Sequence, residues 1–441
     1  MNPIVPKNKP TARESRRNFL KTKLGGGLIG LFGWPLLTNA ANPNSDQTQS
    51  EKPLLKDGDA IDWSAVRTHF NIREDFTFFN TASGGVSSSD ALESMNDAFI
   101  AASEVAGIRH HTLEAVRPNI ASFFNVKENE IVITRNTTEG MNIVARTLNL
   151  AAGDEVLLTT HEHVGGSAMW LMLQKEIGIK VKLVDLDMQG HDNFRRIKKQ
   201  ITDKTKVVSF SHVTCTTGTC LPAKKIADYC RRKGIYSCID GAQSAGLIPV
   251  DLADIQPDFY ATSGHKWLYG PLGTGILFMN EKVMSECKPV FVGAYSDSSF
   301  NLKNLEIEFH QLAHREEYGT RSAPMAIGLS KSIDFLSEIG MDNVREYTMK
   351  LATNLRKQLN DIPGVEVLSP VDKKYATSIV TFKIKNTDSL EMRQKMWQEN
   401  CIRVRHIYEA DLDALRVSVA IFHTQADIDL LVERLKSHLK E

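Results

Sequence analysis

Strand-length apolar runs alternate with amphipathic helical stretches through the middle of this chain, and that alternation leaves few folds open. The runs are Glu130–Thr134, Glu155–Thr160, Val181–Leu186, Lys206–Phe210, Tyr236–Ile239, Asp258–Ala261 and Gly273–Met279. Between them, Thr138–Asn149, Gly166–Ile177 and Ala223–Lys233 repeat apolar residues at i, i+3 and i+4. Strands separated by helices pair in parallel, because the crossover has to travel back along the sheet, and the helices then cover both faces. The pattern predicts an α/β fold with a mostly parallel sheet. In such sheets ligands bind beyond the carboxyl ends of the strands, where the loops converge.

Two strand ends carry the chemistry. Asp258-Phe-Tyr-Ala-Thr-Ser263-Gly264-His265-Lys266-Trp267 runs from an apolar strand into a polar turn that delivers a lysine. An ammonium loses much hydration on burial. Desolvation and nearby positive charge lower an amine's pKa, leaving it free to act as a nucleophile near neutral pH. The plainer alternative for Lys266 is a surface lysine in a strand-to-loop turn. Upstream, Tyr236-Ser-Cys-Ile-Asp240-Gly241-Ala242-Gln243 ends a second buried strand on an aspartate, 26 residues before Lys266. That interval leaves room for one crossover and the next strand. A carboxylate opposite a ring nitrogen, with a lysine on the ring's aldehyde, is how pyridoxal phosphate is held.

The stretches Ile239-Asp240-Gly-Ala-Gln243 and Ser263-Gly-His265-Lys266 together resemble the class V aminotransferases of PLP fold type I. That group includes isopenicillin N epimerase-like enzymes and cysteine desulfurases, and the resemblance spans roughly residues 60 to 441. It implies pyridoxal 5'-phosphate in a large domain with a seven-stranded sheet, plus a small α+β C-terminal domain. Lys266 would form the Schiff base and carry the substrate's α-proton, and Asp240 would hold the ring nitrogen. The turn Arg135-Asn136-Thr137-Thr138-Glu139-Gly140 opens a helix after a strand, and free backbone N–H groups make such a turn a phosphate cradle, against the alternative of a plain N-cap. The resemblance gives Thr137, Thr138 and Glu139 that role, with Ser263 and His265 reaching the phosphate from the lysine turn. His163 would stack on the ring. His212 and Gln243 would lie near the ring hydroxyl. His161 and Glu162 read as structural, and no metal set is evident.

The C-terminal part alternates helices (Met341–Leu359, Ser389–Asn400, Gln425–Lys436) with short strands (Val365–Leu368, Ser378–Lys383, Arg403–His406, Ala414–Val419). Arg416 lies on a strand that otherwise reads apolar, and a carboxylate matches its planar fork. The resemblance assigns it the substrate's α-carboxylate, with Arg405 as second choice and Asn80 beside them; a structural ion pair is the alternative. Residues 294 to 314 resemble a mobile active-site segment. Glu317-Tyr318-Gly319-Thr320 matches a turn that reaches the neighbouring subunit's phosphate, so Thr320 implies a homodimer with shared sites. The alternative is a turn in which Thr320 caps the next helix. Cysteine desulfurases carry their persulfide cysteine in the loop before this arginine. Here the loop is Ile407-Tyr-Glu-Ala-Asp-Leu-Asp413, without cysteine, which turns the reading away from sulfur transfer.

At the N-terminus, Ser15-Arg16-Arg17-Asn18-Phe19-Leu20-Lys21 precedes an apolar, glycine-rich run from Leu24 to Leu37 and small residues at Thr38-Asn39-Ala40-Ala41. This predicts a twin-arginine export signal over 1–41, with an uncleaved anchor or a disordered basic tail as alternatives, and the run is short for a membrane span. The twin-arginine export machinery carries folded proteins, so the expected destination is the periplasm of a bacterium. Setting aside the seven basic residues and one acid of that segment leaves a net charge of −6, which argues against nucleic acid as a partner. The expected divisions are a linker over 42–60, an N-terminal segment over 61–85 packing with the small domain, a large domain over 86–325 and a small one over 326–441. Cys215 and Cys220 flank a Thr-Thr-Gly-Thr turn and would be the pair to join in an oxidising compartment, the alternative being free thiols. The expected function is a PLP enzyme acting on an amino acid, or on a peptide or secondary metabolite containing one. Transamination stands first. Epimerisation or C–S/β-lysis is the alternative, and a non-catalytic PLP-binding protein is the opposing class.

Overall fold

The computed structural model describes residues 54, 60–105 and 109–439. The export signal expected over 1–41 lies outside the described residues, as does the linker over 42–60 apart from residues 54 and 60. The described chain opens with α1 (Trp63–Thr68), β1 (Thr77–Phe78), α2 (Ser89–Val105) and α3 (Thr112–Phe123). Then follow β2 (Ile131–Thr134), α4 (Thr137–Thr147), β3 (Glu155–Thr159), α5 (Val164–Ile177), β4 (Lys180–Val184), α6 (Asn193–Gln200) and β5 (Thr205–Ser211). The sheet is completed through α7 (Ala223–Lys233), β6 (Tyr236–Asp240), α8 (Leu252–Ile255), β7 (Phe259–Ser263) and β8 (Gly275–Met279).

These seven strands are ordered β2-β8-β7-β6-β5-β3-β4. β8 runs antiparallel to both neighbours, and the other pairings are parallel. Both faces are covered, and the side-chain period of two sorts the strand residues between them. Ile131 and Ile133 of β2 enter one apolar cluster and Val132 the other, while β3 sends Leu157 one way and Val156 and Leu158 the other. Each large side chain so buried contributes about 1.5–3 kcal/mol. The continuous apolar runs in the sequence are the direct trace of this two-sided burial.

Beyond β8, the hairpin β9 (Asp297–Asn301) and β10 (Glu306–Phe309) projects exposed apolar side chains, with Leu302 70% and Leu305 86% exposed. The resemblance implies a mobile, irregular segment here. The alternation in Glu306-Ile307-Glu308-Phe309 is the strand signal that explains the difference. Next, α9 (Ala323–Ile339) packs on α2 and α3, and its Leu329, Ile333 and Leu336 join an apolar cluster that runs from the large sheet to Ile379 and Ile421. An apolar helix face does not announce which domain it will cover.

The small domain comprises α10 (Met341–Asn360), β11 (Val365–Val367), β12 (Ile379–Ile384), α11 (Ser389–Asn400), β13 (Ile402–Arg403), β14 (Arg405–Ile407), β15 (Ala414–Ser418) and α12 (Gln425–His438). Its four-stranded antiparallel sheet has the order β11-β12-β15-β14. The N-terminal segment ties this domain to the lysine turn. β1 pairs with β13, Asn80 bridges to Ser418, and Gly85 N–H donates to the His265 carbonyl at 2.7 Å. A Cβ on Gly85 would stand 2.2 Å from the Lys266 carbonyl oxygen, so this approach needs glycine.

Candidate active site

A cavity of about 430 Å³ opens where β2, β5, β6 and β7 end and the N-terminal segment crosses over them. Its floor and walls come from strand ends, as the parallel order dictates. Asp240, the last residue of β6, and Lys266, three residues past β7, both line it. Each charge acts on the other, the Lys266 ammonium lowering the Asp240 pKa and the Asp240 carboxylate raising that of Lys266.

Each wall is braced. Asp240 Oδ1 accepts the Ala242 N–H at 2.9 Å, and a Cβ on Gly166 would stand 2.8 Å from Oδ2. Burial pushes the Asp240 carboxyl upward, opposed by the Ala242 N–H and then by the charges of Lys266 and His163. Lys266 keeps an edge on the cavity, yet the protein around it strips enough water to lower its amine. Asp240 resists that shift, while Arg416 and Arg405 add to it. The lysine turn is anchored by the buried Trp267, whose indole N–H donates to Gln243 Oε1 at 2.8 Å. Gln243 Nε2 in turn donates to the Ala82 carbonyl at 2.8 Å.

One end of the cavity is an anion cradle. Asn136 caps α4, its side chain accepting the Glu139 N–H at 2.9 Å, and the helix start turns its positive dipole end to this part of the cavity. Thr137 Oγ1 meets Ser263 Oγ at 2.7 Å, and Ser263 Oγ also accepts the Thr137 N–H at 3.1 Å. Thr138 and His265 complete this end, with His265 Nδ1 fixed 3.1 Å from the Thr274 carbonyl. His163 forms another wall. Its Nδ1 accepts the Gly165 N–H at 3.0 Å, capping α5. Burial lowers its pKa, and the Lys266 charge lowers it further, so the ring is neutral near pH 7.

The remaining wall belongs to the small domain. Arg405 lines the cavity and pairs with Glu409. Arg416 faces Arg405 across the β14–β15 ladder but is fully buried. Its guanidinium donates to the Cys215 carbonyl at 2.6 Å, to Ser83 Oγ at 2.9 Å and to Asn80 Oδ1 at 3.3 Å, and its Nε–H has no partner. None of those acceptors is anionic. Burial first, and then Arg405's like charge, pull its pKa down to about 9.

Of the residues singled out from sequence, Thr137, Thr138, His163, Asp240, Gln243, Ser263, His265, Lys266 and Arg405 line this cavity, while Arg416 and Asn80 stand behind Ser83. Three lie elsewhere. Glu139 turns back on its own helix start, accepting the Arg135 N–H at 2.6 Å and pairing with the Arg135 guanidinium. His212 is buried behind the cavity wall, where burial pulls its pKa down to about 4. Cys215 faces the cavity instead, its thiol pushed up to about 11 by burial. Thr320 is exposed, and the capping residue of α9 is Ser322 rather than Thr320. Glu317 in the same turn is buried, taking the Arg117 fork at 2.7 and 2.9 Å and the Ile133 N–H at 2.6 Å. Cys215 and Cys220 are free thiols. Sequence reasoning assigned no cavity role to Ala82, Ser83 or Cys215. The small-residue run Thr81-Ala-Ser-Gly-Gly85 was the available signal for the first two.

The sequence matches the family described as Aminotransferase class-V over residues 93–431. A probable cysteine desulfurase of Synechocystis sp. is 30% identical over 341 residues, covering 74% of this chain and 80% of that relative. The crystal structure of the cysteine desulfurase CsdA from Escherichia coli is similar with a TM-score of 0.78 at 24% identity, covering 86% of this chain and 99% of that one. A C-DES variant with glycine covalently linked to its PLP cofactor has a TM-score of 0.77 at 28% identity, covering 84% and 98% of the two chains. C-DES, a cystine C–S lyase, is also solved with its reaction product cysteine persulfide. The donor set here fits that cofactor. An amine and a carboxylate face one cavity from separate positions, a helix N-terminus with Thr and Ser hydroxyls offers donors for a phosphate, and His163 supplies a flat neutral ring.

Proposed function

Because this chain belongs to the aminotransferase class-V family and depends on pyridoxal phosphate, we propose that it labilises the α-C–H bond of an amino acid and transfers the amino group. The amino acid is free or part of a peptide or secondary metabolite. The observation that carries this is Lys266 and Asp240 lining one cavity, each within reach of the other's charge. When bound, the cofactor supplies an electron sink for the α-carbon.

The chain's own residues do the rest. Lys266 would hold the cofactor's aldehyde and be released when a substrate amine binds there. The freed amine, lowered in pKa by burial, then takes the α-proton and returns it. Asp240 keeps a proton on the ring nitrogen, and the dry surroundings strengthen that pairing. The α4 N-terminus, Thr137, Ser263 and His265 hold the phosphate. Arg416 takes the substrate's α-carboxylate. It is a buried cation with neutral partners and an unused Nε–H, and its bond to Ser83, which lines the cavity, is the one to be exchanged.

A second reading is C–S bond cleavage in cysteine or cystine, favoured by the names of the relatives, cysteine desulfurases and a cystine C–S lyase. The loop over 407–413 contains no cysteine to receive sulfur, which favours release over transfer. The motif Ser15-Arg16-Arg17 supports export to the periplasm, and the exposed apolar hairpin β9–β10 supports a homodimer with shared sites.

The test is incubation of the PLP-loaded protein with amino acids in heavy water. Solvent deuterium at the α-carbon with a keto acid supports transamination. Sulfide or persulfide with pyruvate from cysteine or cystine supports C–S lysis. Lys266→Ala lowers either by at least about 100-fold. No exchange with any amino acid or peptide would leave a non-catalytic cofactor-binding protein.

A further inference from the structure

The loop between β14 and β15 is built to hold one acid against Arg405, which lines the cavity. It contains three non-glycine residues at positive φ, Ala410 at 54°, Asp411 at 53° and Asp413 at 40°, conformations that L-residues avoid unless the surroundings impose them. Those surroundings are present. His406 Nε2 and Asp413 Oδ1 meet at 3.0 Å across the ends of the loop, and Leu412 packs with Leu368, Ile407 and Ala414. The residue this loop holds against Arg405 is Glu409. Its Oε1 pairs with the Arg405 guanidinium, and its Oε2 is buried without a partner.

This wall holds two guanidiniums, Arg405 and Arg416, facing each other across the ladder, with Glu409 paired to Arg405 and its charge felt by Arg416. The balance is one positive charge, which a single substrate carboxylate cancels. Resting on the amino-acid reading above, we propose that Glu409 sets side-chain specificity. By filling the Arg405 fork it bars a second carboxylate from the substrate, and its free oxygen accepts a hydrogen bond from a side-chain N–H or O–H. The preferred substrates are amino acids with an uncharged or donor-bearing side chain, and dicarboxylic amino acids are selected against. Arg405 without Glu409 would be an open bidentate socket for a side-chain carboxylate. An unpaired buried carboxylate oxygen favours any ligand that brings it a donor, because leaving it unmet is costly.

The test compares PLP-loaded wild type with Glu409→Gln, which keeps the shape and removes the charge. Dissociation constants for L-alanine, L-cysteine, L-aspartate and L-glutamate are read from the rapid change in the cofactor's visible absorbance. The expected result is a rise of at least about tenfold in the ratio of acidic to neutral affinity, the worth of one well-formed ion pair to Arg405. Adding Arg405→Gln to Glu409→Gln is expected to abolish that rise. An unchanged ratio in Glu409→Gln would overturn the proposal, as would a rise that survives in the double variant. Thermal unfolding of each variant verifies that it is folded. If no amino acid perturbs the absorbance of any form, the amino-acid reading fails and this one with it. If alanine or cysteine binds and the ratio stays fixed, only the role of Glu409 fails.

Discussion

Glu162 shows how much a single side chain can be bent from its ordinary chemistry by what surrounds it. Its carboxylate accepts the Ser211 N–H at 3.1 Å, the Ser211 hydroxyl at 2.6 Å and the Thr159 hydroxyl, and Ser211 stands in register with Asp240. Burial pushes its pKa up to about 7, with Asp240's charge adding in the same direction. The native state thus holds this proton more tightly than the unfolded chain does. The resulting stability is full below the ordinary value of 4.5 and is lost as pH rises through about 7. Glu162→Gln is expected to gain on wild type by up to about 3 kcal/mol across that window. Chemical denaturation of both proteins between pH 4.5 and 7.5 checks this, and a pH-independent difference would contradict it. At this scale the sequence was partly legible. Lys266 and Asp240 stood out because polar groups at the ends of apolar strands are conspicuous. His212 misled, because in an extended chain it faces away from Ser211's side. Cys215 was weighed only as a partner for Cys220, because it returns to the cavity through a turn closed by the Val213–Cys220 bridge.

Among the elements, α5 depends most on a residue without a side chain. Gly166 lies in its first turn against the Asp240 carboxylate, so a methyl group there must displace one or the other. Gly166→Ala is expected to cost about 1–3 kcal/mol of stability and to weaken cofactor retention by roughly tenfold, since Asp240 is the group that moves. Dialysis of the coloured protein against cofactor-free buffer, alongside a melting curve, measures both. Normal retention would show that α5 yields instead. The strands and most helices of the large sheet were readable from apolar period and length, with ends shifted by a residue or two. The hairpin β9–β10 was passed over, because its four-residue alternation in Glu306-Ile307-Glu308-Phe309 is short and sits in an otherwise polar stretch.

For the whole molecule, the exposed leucines of the hairpin are the expected contact with a second copy of the chain. In the proposed homodimer with shared sites, Leu302→Asp with Leu305→Asp is predicted to give monomers in analytical ultracentrifugation and to lower cofactor retention with it. A wild-type monomer that retains its cofactor would end this idea. The same scale governs the cavity. Its closing wall brings Ala82 and Ser83, near the start of the described chain, against residues 405 and 416, more than three hundred positions later.

The order of strands and helices, the sheet class and the paired identity of Asp240 and Lys266 were set by local pattern, because burial on two faces and polarity at strand ends leave marks within a few residues. Which arginine meets the cavity, where α9 packs and which thiol faces inward were decided by the fold alone. Those outcomes depend on contacts between distant segments, for which no short stretch of chain carries a physical signature.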